Sequence, residues 1–440
     1  MARTMLLLVW GVVITAAAYL YFSQLYSRFS RHGVKNLPTL PLMGNMTRLM
    51  LRKEHMAEDI YRLYMAFPNE RFVGKFEFTN PQLLIRDIEL VKQITIKDVE
   101  HFLDRRTLID EKADPLFGRI LPAFTSSKMK LMLPLIVEVG EQMNKALKTK
   151  IENSGDLTTR YANDVIASCA FGLKVDSHTD VDNSFYATGK KTFNFNFKML
   201  LMFFGFVAVP KLMNLFKISL FSEESKSFFR HLVTSTMKDR EERNIIRPDM
   251  IHLLMEANKV WSQDDLVAQA VLFFLAGFET VSTTMSFLIH ELALHPEVQE
   301  RLVNEIRENE DKNVGKFNYN SIINMTYMDM VCTYLVGGLV FTTARHVYFP
   351  EPLKFDPERF SDENKHNINP FSYMPFGMGP RNCIGSRFAL CEVKVLAYQL
   401  LQHMEVSPCE KTCIPSQLAT DTFQLLLKGG HHVTVKRRVL

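Results

Sequence analysis

The residues best suited to metal chemistry lie in one short loop near the C-terminus, where a single thiol, Cys383, stands among glycines and a cation. Gly377, Gly379 and Gly385 permit backbone angles that are closed to other residues. Arg381 places a positive charge two positions before the thiol, and the helical run predicted directly after the loop adds the positive end of its dipole. A loop of this composition favours a thiolate that binds one metal ion.

A second set of side chains lies in the middle of a long predicted helix. Ser262 has the sequence context of a helix N-cap, and about 30 residues without an internal proline follow it. Ala276 and Thr280 fall on one i, i+4 row whose centre is small or hydroxylated. Because a glycine inside a helix costs about 0.5–1 kcal/mol relative to alanine, Gly277 needs a packing reason, such as a flat group against the backbone. For the Thr280 hydroxyl, a hydrogen bond back to the Ala276 carbonyl is the plain alternative.

The loop matches the signature Phe-x-x-Gly-x-Arg-x-Cys-x-Gly at five positions, Phe376, Gly379, Arg381, Cys383 and Gly385. In this the chain resembles the cytochrome P-450 haem-thiolate monooxygenases. The resemblance implies that Cys383 is the axial ligand of the iron of haem b, that Arg381 meets a haem propionate and that Phe376 shields the thiolate. A structural glycine-rich turn around a buried cysteine is the alternative.

The long helix adds to the resemblance, because residues 276–280 match the family pattern Ala-Gly-x-(Asp/Glu)-Thr. By that resemblance Ala276 and Gly277 make room for dioxygen above the haem, Thr280 steadies the reduced oxygen species, and Glu279 belongs to the proton relay. The implied reaction inserts one atom of dioxygen into an apolar small molecule, with electrons that come from NADPH through the P-450 reductase. The implied fold is mainly α with small β-sheets, and several segments are similar to the insect microsomal, xenobiotic-metabolising members.

The N-terminus predicts a membrane anchor. Between Arg3 and Arg28 there are 24 uncharged residues, and an apolar helix of 18 residues spans about 27 Å, close to the hydrocarbon thickness of a bilayer. More basic residues follow this segment than precede it, which predicts a catalytic domain that faces the cytosol from the endoplasmic reticulum membrane. A cleaved signal peptide is the rival interpretation. We divide the chain into an anchor (1–27), a basic and proline-rich linker (28–45) and a haem-thiolate catalytic domain (46–440).

Composition excludes some partners and leaves one region ambiguous. The net charge of +4 is modest and no dense basic tract argues for nucleic acid. The six cysteines are scattered and do not form a disulfide framework, so we interpret them as free thiols. Residues 193–221 are rich in phenylalanine, which is consistent with a buried helix pair or, by the resemblance, with a lipid-facing lid over the substrate channel.

Two family elements are absent from the sequence. The family carries Glu-x-x-Arg on a helix before the meander segment that contains Arg359, but no glutamate occurs between Glu310 and Glu351. The family's Trp-x-x-x-Arg helix should precede Leu121, yet Trp10 and Trp261 are the only tryptophans. We interpret both losses as excised segments, produced by exon skipping or by a faulty gene model.

The losses predict a weak haem site. Arg359 is expected to lack its carboxylate partner, and breaking a buried ion pair costs about 3–5 kcal/mol. We therefore expect this chain to incorporate haem poorly, and the alternative function is a catalytically defective isoform that lacks the Glu-x-x-Arg and Trp-x-x-x-Arg segments. Two other interpretations stay open: a non-catalytic chain that only occupies membrane or reductase, and a membrane-anchored helical binding protein without haem.

Overall fold

The structure, a computed structural model, is mainly helical with two small sheets. It describes residues 2–102, 126–147, 151–193, 197–216, 218–219, 221–257, 262–313, 319–341, 348–352 and 354–438. In the N-terminal half the helices are α1 (Ala2–Tyr26), α2 (Arg28–Arg31), α3 (Thr47–Met50), α4 (Met56–Ala66), α5 (Ile88–Lys92), α6 (Ser126–Ala146), α7 (Ser154–Phe171), α8 (Ser184–Phe193), α9 (Phe197–Ala208) and α10 (Pro210–Leu215).

The C-terminal half carries the longest helix and the one that follows the cysteine loop. Its helices are α11 (Glu223–Arg243), α12 (Met250–Ala257), α13 (Gln263–Leu294), α14 (Pro296–Asn313), α15 (Tyr319–Ile323), α16 (Thr326–Phe341) and α17 (Ser386–His403). Single turns of 3-10 helix lie at Pro357–Phe360, Lys365–Asn367 and Gly379–Arg381. The predicted fold class, mainly α with small sheets, is confirmed.

The strands form two separate sheets. Antiparallel strands β1 (Phe72–Glu77) and β2 (Asn80–Ile85) make the first, with Phe72 opposite Ile85. The second has the order β3 (Ile151–Asn153), β5 (His432–Arg437), β4 (Met404–Ser407), all antiparallel. Because β5 joins the two other strands, the second sheet ties the end of the chain to the start of α7 and the end of α17.

Helix α13 runs through the centre of the molecule. Ser262 caps it, since the Ser262 hydroxyl accepts from the Asp265 amide and the Asp265 carboxylate accepts from the Ser262 amide. The helix is 32 residues long, as the proline-free run predicted, and it packs against α7, α11, α14, α16 and α17. Although it is long and apolar enough to cross a membrane, most of it is buried inside the protein. It is therefore a core helix.

Helices α6, α7, α13 and α17 pack on one another and enclose most of the hydrophobic core. Phe171, Phe229 and Phe274 form one aromatic cluster in which neighbouring ring centroids lie 5.0–6.0 Å apart. Burying each such side chain stabilises the fold by about 1.5–3 kcal/mol. This core holds α13 and α17 together, and those two helices carry the predicted site residues or directly follow them.

The N-terminal helix is exposed along its length, but its end is attached to the first sheet. Residues Arg3–Tyr26 meet the length and composition of a membrane span. The Tyr26 hydroxyl donates to the Phe78 carbonyl. The Phe29 ring packs directly on Gly74, because a Cβ built on Gly74 would lie 2.5 Å from the Cδ2 atom of Phe29. The predicted linker therefore packs against the body of the protein, and Gly44 within it has a φ of +59°.

Candidate functional site

The cysteine loop is held by its own backbone. The Cys383 amide donates to the Phe376 carbonyl over 2.7 Å, which closes the loop across the glycines. Gly377 and Gly379 have φ values of +75° and +73°, so their predicted special backbone angles are confirmed. The Cys383 side chain is exposed. The loop thus presents one thiol on a turn whose shape depends on glycine.

The third glycine serves a different purpose from the one predicted. Gly385 has a φ of −90°, which any residue adopts, so the expectation that it needs a glycine-only conformation is wrong. Instead it occupies the N-cap position of α17, and a Cβ at Gly385 would meet no described atom within 4 Å. At Gly379, by contrast, a Cβ would lie 2.2 Å from the Thr95 carbonyl oxygen, so this glycine also permits a close approach of two backbones.

The middle of α13 is exposed on one narrow face. Ala276 and Thr280 are exposed, whereas Phe274, Phe278 and Val281 on the other faces are buried. The Thr280 hydroxyl donates to the Ala276 carbonyl over 2.5 Å, so the back-bonding alternative is what the structure contains. Because a hydroxyl oxygen keeps acceptor lone pairs after donating, Thr280 can still accept a hydrogen bond from a ligand on this face.

The structure supplies a packing reason for Gly277. A Cβ built on Gly277 would lie 2.5 Å from the Cδ1 atom of Ile166, which belongs to α7. Close packing of α13 on α7 therefore accounts for the glycine, and no flat group is needed to explain it. Gly277 acts as a helix-packing residue behind the exposed face.

Glu279 lies beside that face and is electrostatically unusual. Burial raises its pKa from the ordinary value to about 7, although hydrogen bonds with Thr283 and Gln424 oppose the rise. The Thr283 hydroxyl lies 3.4 Å from the Glu279 Oε1 atom. A carboxyl group with a pKa near neutrality can both accept and release a proton under physiological conditions. Sequence reasoning did not find Gln424, since it is far from Glu279 along the chain.

The residues present fit a haem group. A thiol is exposed on a rigid loop, and α17 begins directly after it, so the amide end of that helix lies next to the thiol. Helix α17 packs on α13, whose small and hydroxylated face is exposed. Arg381, also exposed, ends the 3-10 turn before the thiol and supplies a cation suited to a carboxylate. Within the described residues no cluster of three His, Cys, Asp or Glu side chains offers another metal centre.

The meander arginine is bound differently from the expectation. Arg359 donates from Nη1 to the Pro350 carbonyl over 2.6 Å and from Nη2 to the Glu351 carbonyl over 2.8 Å. The nearest carboxylate is the Asp356 Oδ2 atom, 4.0 Å from Nε. The predicted loss of a close carboxylate partner is consistent with this geometry, but two backbone carbonyls take most of the guanidinium's hydrogen bonds. The predicted absence of the tryptophan helix concerns the chain before Leu121, which lies outside the described residues.

One buried acid was not foreseen from the sequence. Glu392 of α17 is fully buried, and neither carboxylate oxygen has a hydrogen-bond partner among the described residues. Tyr161, Cys169 and Cys391 are the titratable groups around it, and burial raises the Glu392 pKa well above its ordinary range. The apolar residues around Glu392 in the predicted helix were the sequence signal that could have indicated its burial. Burial therefore disfavours the charged form of Glu392 in the folded protein.

Comparison with known proteins agrees with this geometry. The family model described as "Cytochrome P450" matches residues 35–333 and 340–433. The chain is 39% identical to "Cytochrome P450 9e2" of Blattella germanica, over 97% of this chain and 96% of that protein. It is 37% identical to "Probable cytochrome P450 9f2" of Drosophila melanogaster, over 97% of this chain and 98% of that protein. With "Probable cytochrome P450 6a13" of the same organism the identity is 35%, over 98% and 99%.

The same comparisons locate interruptions in the chain. The family match stops after residue 333 and resumes at residue 340, inside α16. The alignment with the Blattella germanica protein extends over 514 positions, which exceeds the 440 residues of this chain by 74. At least those 74 positions of the relative therefore have no counterpart here.

Proposed function

Because the chain belongs to the cytochrome P-450 family, we propose that it is a membrane-anchored haem-thiolate monooxygenase that inserts one atom of dioxygen into an apolar small molecule. The observation that carries the proposal is the exposed Cys383 thiol in a loop closed by the Cys383–Phe376 backbone hydrogen bond. Electrons come from NADPH through a membrane-bound P-450 reductase. We propose the apolar substrate, the electron donor and the membrane attachment together with this activity.

Haem would be held by residues of the cysteine loop. Cys383 would bind the iron through its sulfur, Arg381 would neutralise a propionate, and Phe376 would cover the sulfur. When bound, haem supplies the iron at which dioxygen is activated, and a thiolate ligand favours cleavage of the O–O bond. The protein's share is to hold the sulfur in place directly before the N-terminal end of α17.

Proton delivery is assigned to the exposed face of α13. Glu279, whose pKa is about 7, releases and recovers a proton near neutral pH. Thr280 accepts a hydrogen bond on its exposed side while its own proton is held by the Ala276 carbonyl. Ala276 has only a methyl side chain, so this face leaves room for a small ligand. Glu279 would thus supply protons next to Thr280, at the place where dioxygen would lie.

Membrane attachment involves two exposed apolar segments. Helix α1 forms the anchor, since it is exposed and long enough to span a bilayer. Helix α9 packs on the linker through Leu200, Phe204 and Met43, and α10 packs on α9, so they lie on the same side of the molecule as α1. Their outward residues are apolar and exposed: Leu201, Val209, Leu212, Leu215 and Phe216. We propose that this surface rests on the endoplasmic reticulum membrane, with the catalytic domain in the cytosol.

A second candidate is a catalytically defective member of the same family. The 74 unmatched positions and the interrupted match inside α16 favour it, because the missing Glu-x-x-Arg segment belongs to that region. In this case the chain keeps the cysteine loop but loads haem poorly. Insertion of the missing segment would then restore haem binding.

The two candidates are separated by one experiment on the full chain purified from membranes. The reduced protein is exposed to carbon monoxide, and haem content is measured in parallel. A red-shifted Soret band, followed by NADPH consumption with reductase, supports the monooxygenase. A colourless protein in excess haemin that gains the band after insertion of the Glu-x-x-Arg segment supports the defective form, and no band in either protein would overturn both.

A further inference from the structure

The interrupted part of the chain contains a set of contacts that join α16 to the segment directly before the cysteine loop. The Tyr334 hydroxyl of α16 donates to the Lys354 carbonyl over 2.8 Å. The Tyr373 hydroxyl returns to α16 and donates to the Thr333 carbonyl over 2.6 Å. Two adjacent residues of α16 are therefore hydrogen-bonded to both ends of residues 354–373.

Aromatic packing fills the space between these two hydrogen bonds. The Tyr334 ring meets Phe355 edge to face, with 4.9 Å between the ring centroids. Phe360 lies between the two tyrosines, 5.0 Å from the Tyr373 ring and 6.4 Å from the Tyr334 ring. Tyr334 and Phe355 are buried. Edge-to-face aromatic pairs add directional stabilisation to ordinary burial, so these rings fix residues 355–360 relative to α16.

These contacts end three residues before the cysteine loop. Tyr373 is three residues before Phe376, whose carbonyl accepts the Cys383 amide. Displacing Tyr373 from α16 would move residues 373–376, and the carbonyl of Phe376 closes the cysteine loop. Because Tyr334 and Thr333 stand at the point where the family match stops, this connection is built partly from residues beyond the shared sequence.

We propose that Tyr334 and Tyr373 form an uncharged latch that positions the Cys383 loop for haem, in the region where this chain lacks the charged Glu-x-x-Arg pair. The inference rests on the proposed function, since it assigns the latch to thiolate ligation of haem. Tyr334 is a positioning residue: it acts on the thiol through residues 354–373 and touches neither the thiol nor the exposed face of α13 in the described contacts.

The test uses Tyr334→Phe and Tyr373→Phe in the full chain, since each removes one hydroxyl and keeps the ring. The matched control is Tyr186→Phe, because the Tyr186 hydroxyl is also part-buried and donates to Asp156 over 2.9 Å, but lies in α8 away from the latch. Haem-loaded proteins are reduced under carbon monoxide, and the share with the red-shifted thiolate band is measured. Each latch variant should lower that share at least about twofold, and Tyr186→Phe should leave it unchanged.

Hydrogen exchange of the haem-free proteins supplies a second measurement. Loss of one hydrogen bond should raise amide exchange in residues 354–383 by about fivefold in each latch variant and not in Tyr186→Phe. If the parent shows no thiolate band, the proposed function fails while this exchange measurement still tests the latch. Equal spectra and equal exchange in Tyr334→Phe, Tyr373→Phe and Tyr186→Phe would overturn the latch itself.

Discussion

The cysteine loop and the segment that α16 holds in place both belong to the proposed haem site, yet they are stabilised in different ways. The loop is closed by the short-range hydrogen bond between Cys383 and Phe376 and by two glycines with positive φ. The 354–373 segment has little regular structure of its own, and its position depends on Tyr334, which is distant in sequence. Contacts within the cysteine loop determine its backbone geometry, whereas contacts with α16 determine the position of residues 354–373.

This difference explains how a chain can lack internal segments of its relatives and keep the geometry of its cysteine loop. Removing residues upstream does not change the backbone angles of a glycine-containing turn. It does change which side chains are available to a distant partner, and Arg359 is accordingly bound to the carbonyls of Pro350 and Glu351. We therefore expect the geometry of the 354–373 segment to be more sensitive to mutation than the geometry of the cysteine loop.

The largest effect is expected from Cys383→Ser. The variant keeps the backbone hydrogen bond to Phe376, so the fold should be unchanged, while the thiolate band should disappear completely and monooxygenation with it. Reduced carbon monoxide spectra and circular dichroism measure the two properties. Cys409→Ser, in a half-exposed turn, is the control and should retain the band. A persistent thiolate band in Cys383→Ser would place the ligand elsewhere.

Arg359→Ala should be the most destabilising change in the supporting region. It removes two charged hydrogen bonds, worth about 1.5–3 kcal/mol each, so the free energy of unfolding should fall by about 3 kcal/mol or more. Denaturant unfolding of the full chain measures the loss. Lys365→Ala breaks only an exposed pair with Asp362 and should cost less than about 1 kcal/mol. Similar losses in the two variants would show that the carbonyl contacts of Arg359 contribute little.

Glu279→Gln should change the pH dependence of stability. The folded pKa of about 7 lies above the ordinary value of 4.5, so ionisation of Glu279 progressively destabilises the fold as pH rises from 4.5 to 7. The shift corresponds to about 3 kcal/mol. The difference in unfolding free energy between variant and parent should therefore grow over this window and stay constant above pH 7.

The difference between the two proteins is the relevant quantity because other groups titrate in the same range. Burial lowers the pKa of His290 to about 4 and of His431 to about 3, which stabilises the fold as pH rises. These terms are shared by both proteins and cancel. The same variant should slow monooxygenation at neutral pH without changing haem content. A pH-independent difference in stability would contradict the raised pKa of Glu279.

The smallest effect is expected from Glu392→Met, which puts an apolar side chain of similar size in place of a buried acid. Within the described part of the chain the Glu392 carboxylate has no hydrogen-bond partner. Burial disfavours the charged form of Glu392 in the parent, so the variant should be more stable than the parent at neutral pH. Its advantage should shrink as pH falls towards the ordinary pKa of a glutamate. Thermal unfolding at pH 5 and pH 8 measures both values. Lower stability of the variant at pH 8 would indicate that Glu392 has a polar partner in solution.

Several features were predictable because they depend on residues close together in the chain. The capping of α13 by Ser262 and Asp265, the length of that helix and the turn of the cysteine loop all follow from local backbone chemistry. The role of Gly277 was not predictable, since Ile166 approaches it from another helix. The raised pKa of Glu279 likewise depends on burial that a list of neighbours in sequence does not reveal.

The sequence by itself determined the family, the helical fold class and the single thiol on which the proposed chemistry depends. Each of these is encoded in short patterns, whose residue types restrict backbone angles or supply a ligand whatever surrounds them. Only the tertiary structure decided how Arg359 is bound, that Glu392 is buried with no hydrogen-bond partner among the described residues, and that Tyr334 reaches Lys354. Those outcomes depend on which distant segments meet, because burial and long-range hydrogen bonds arise only when the helices pack.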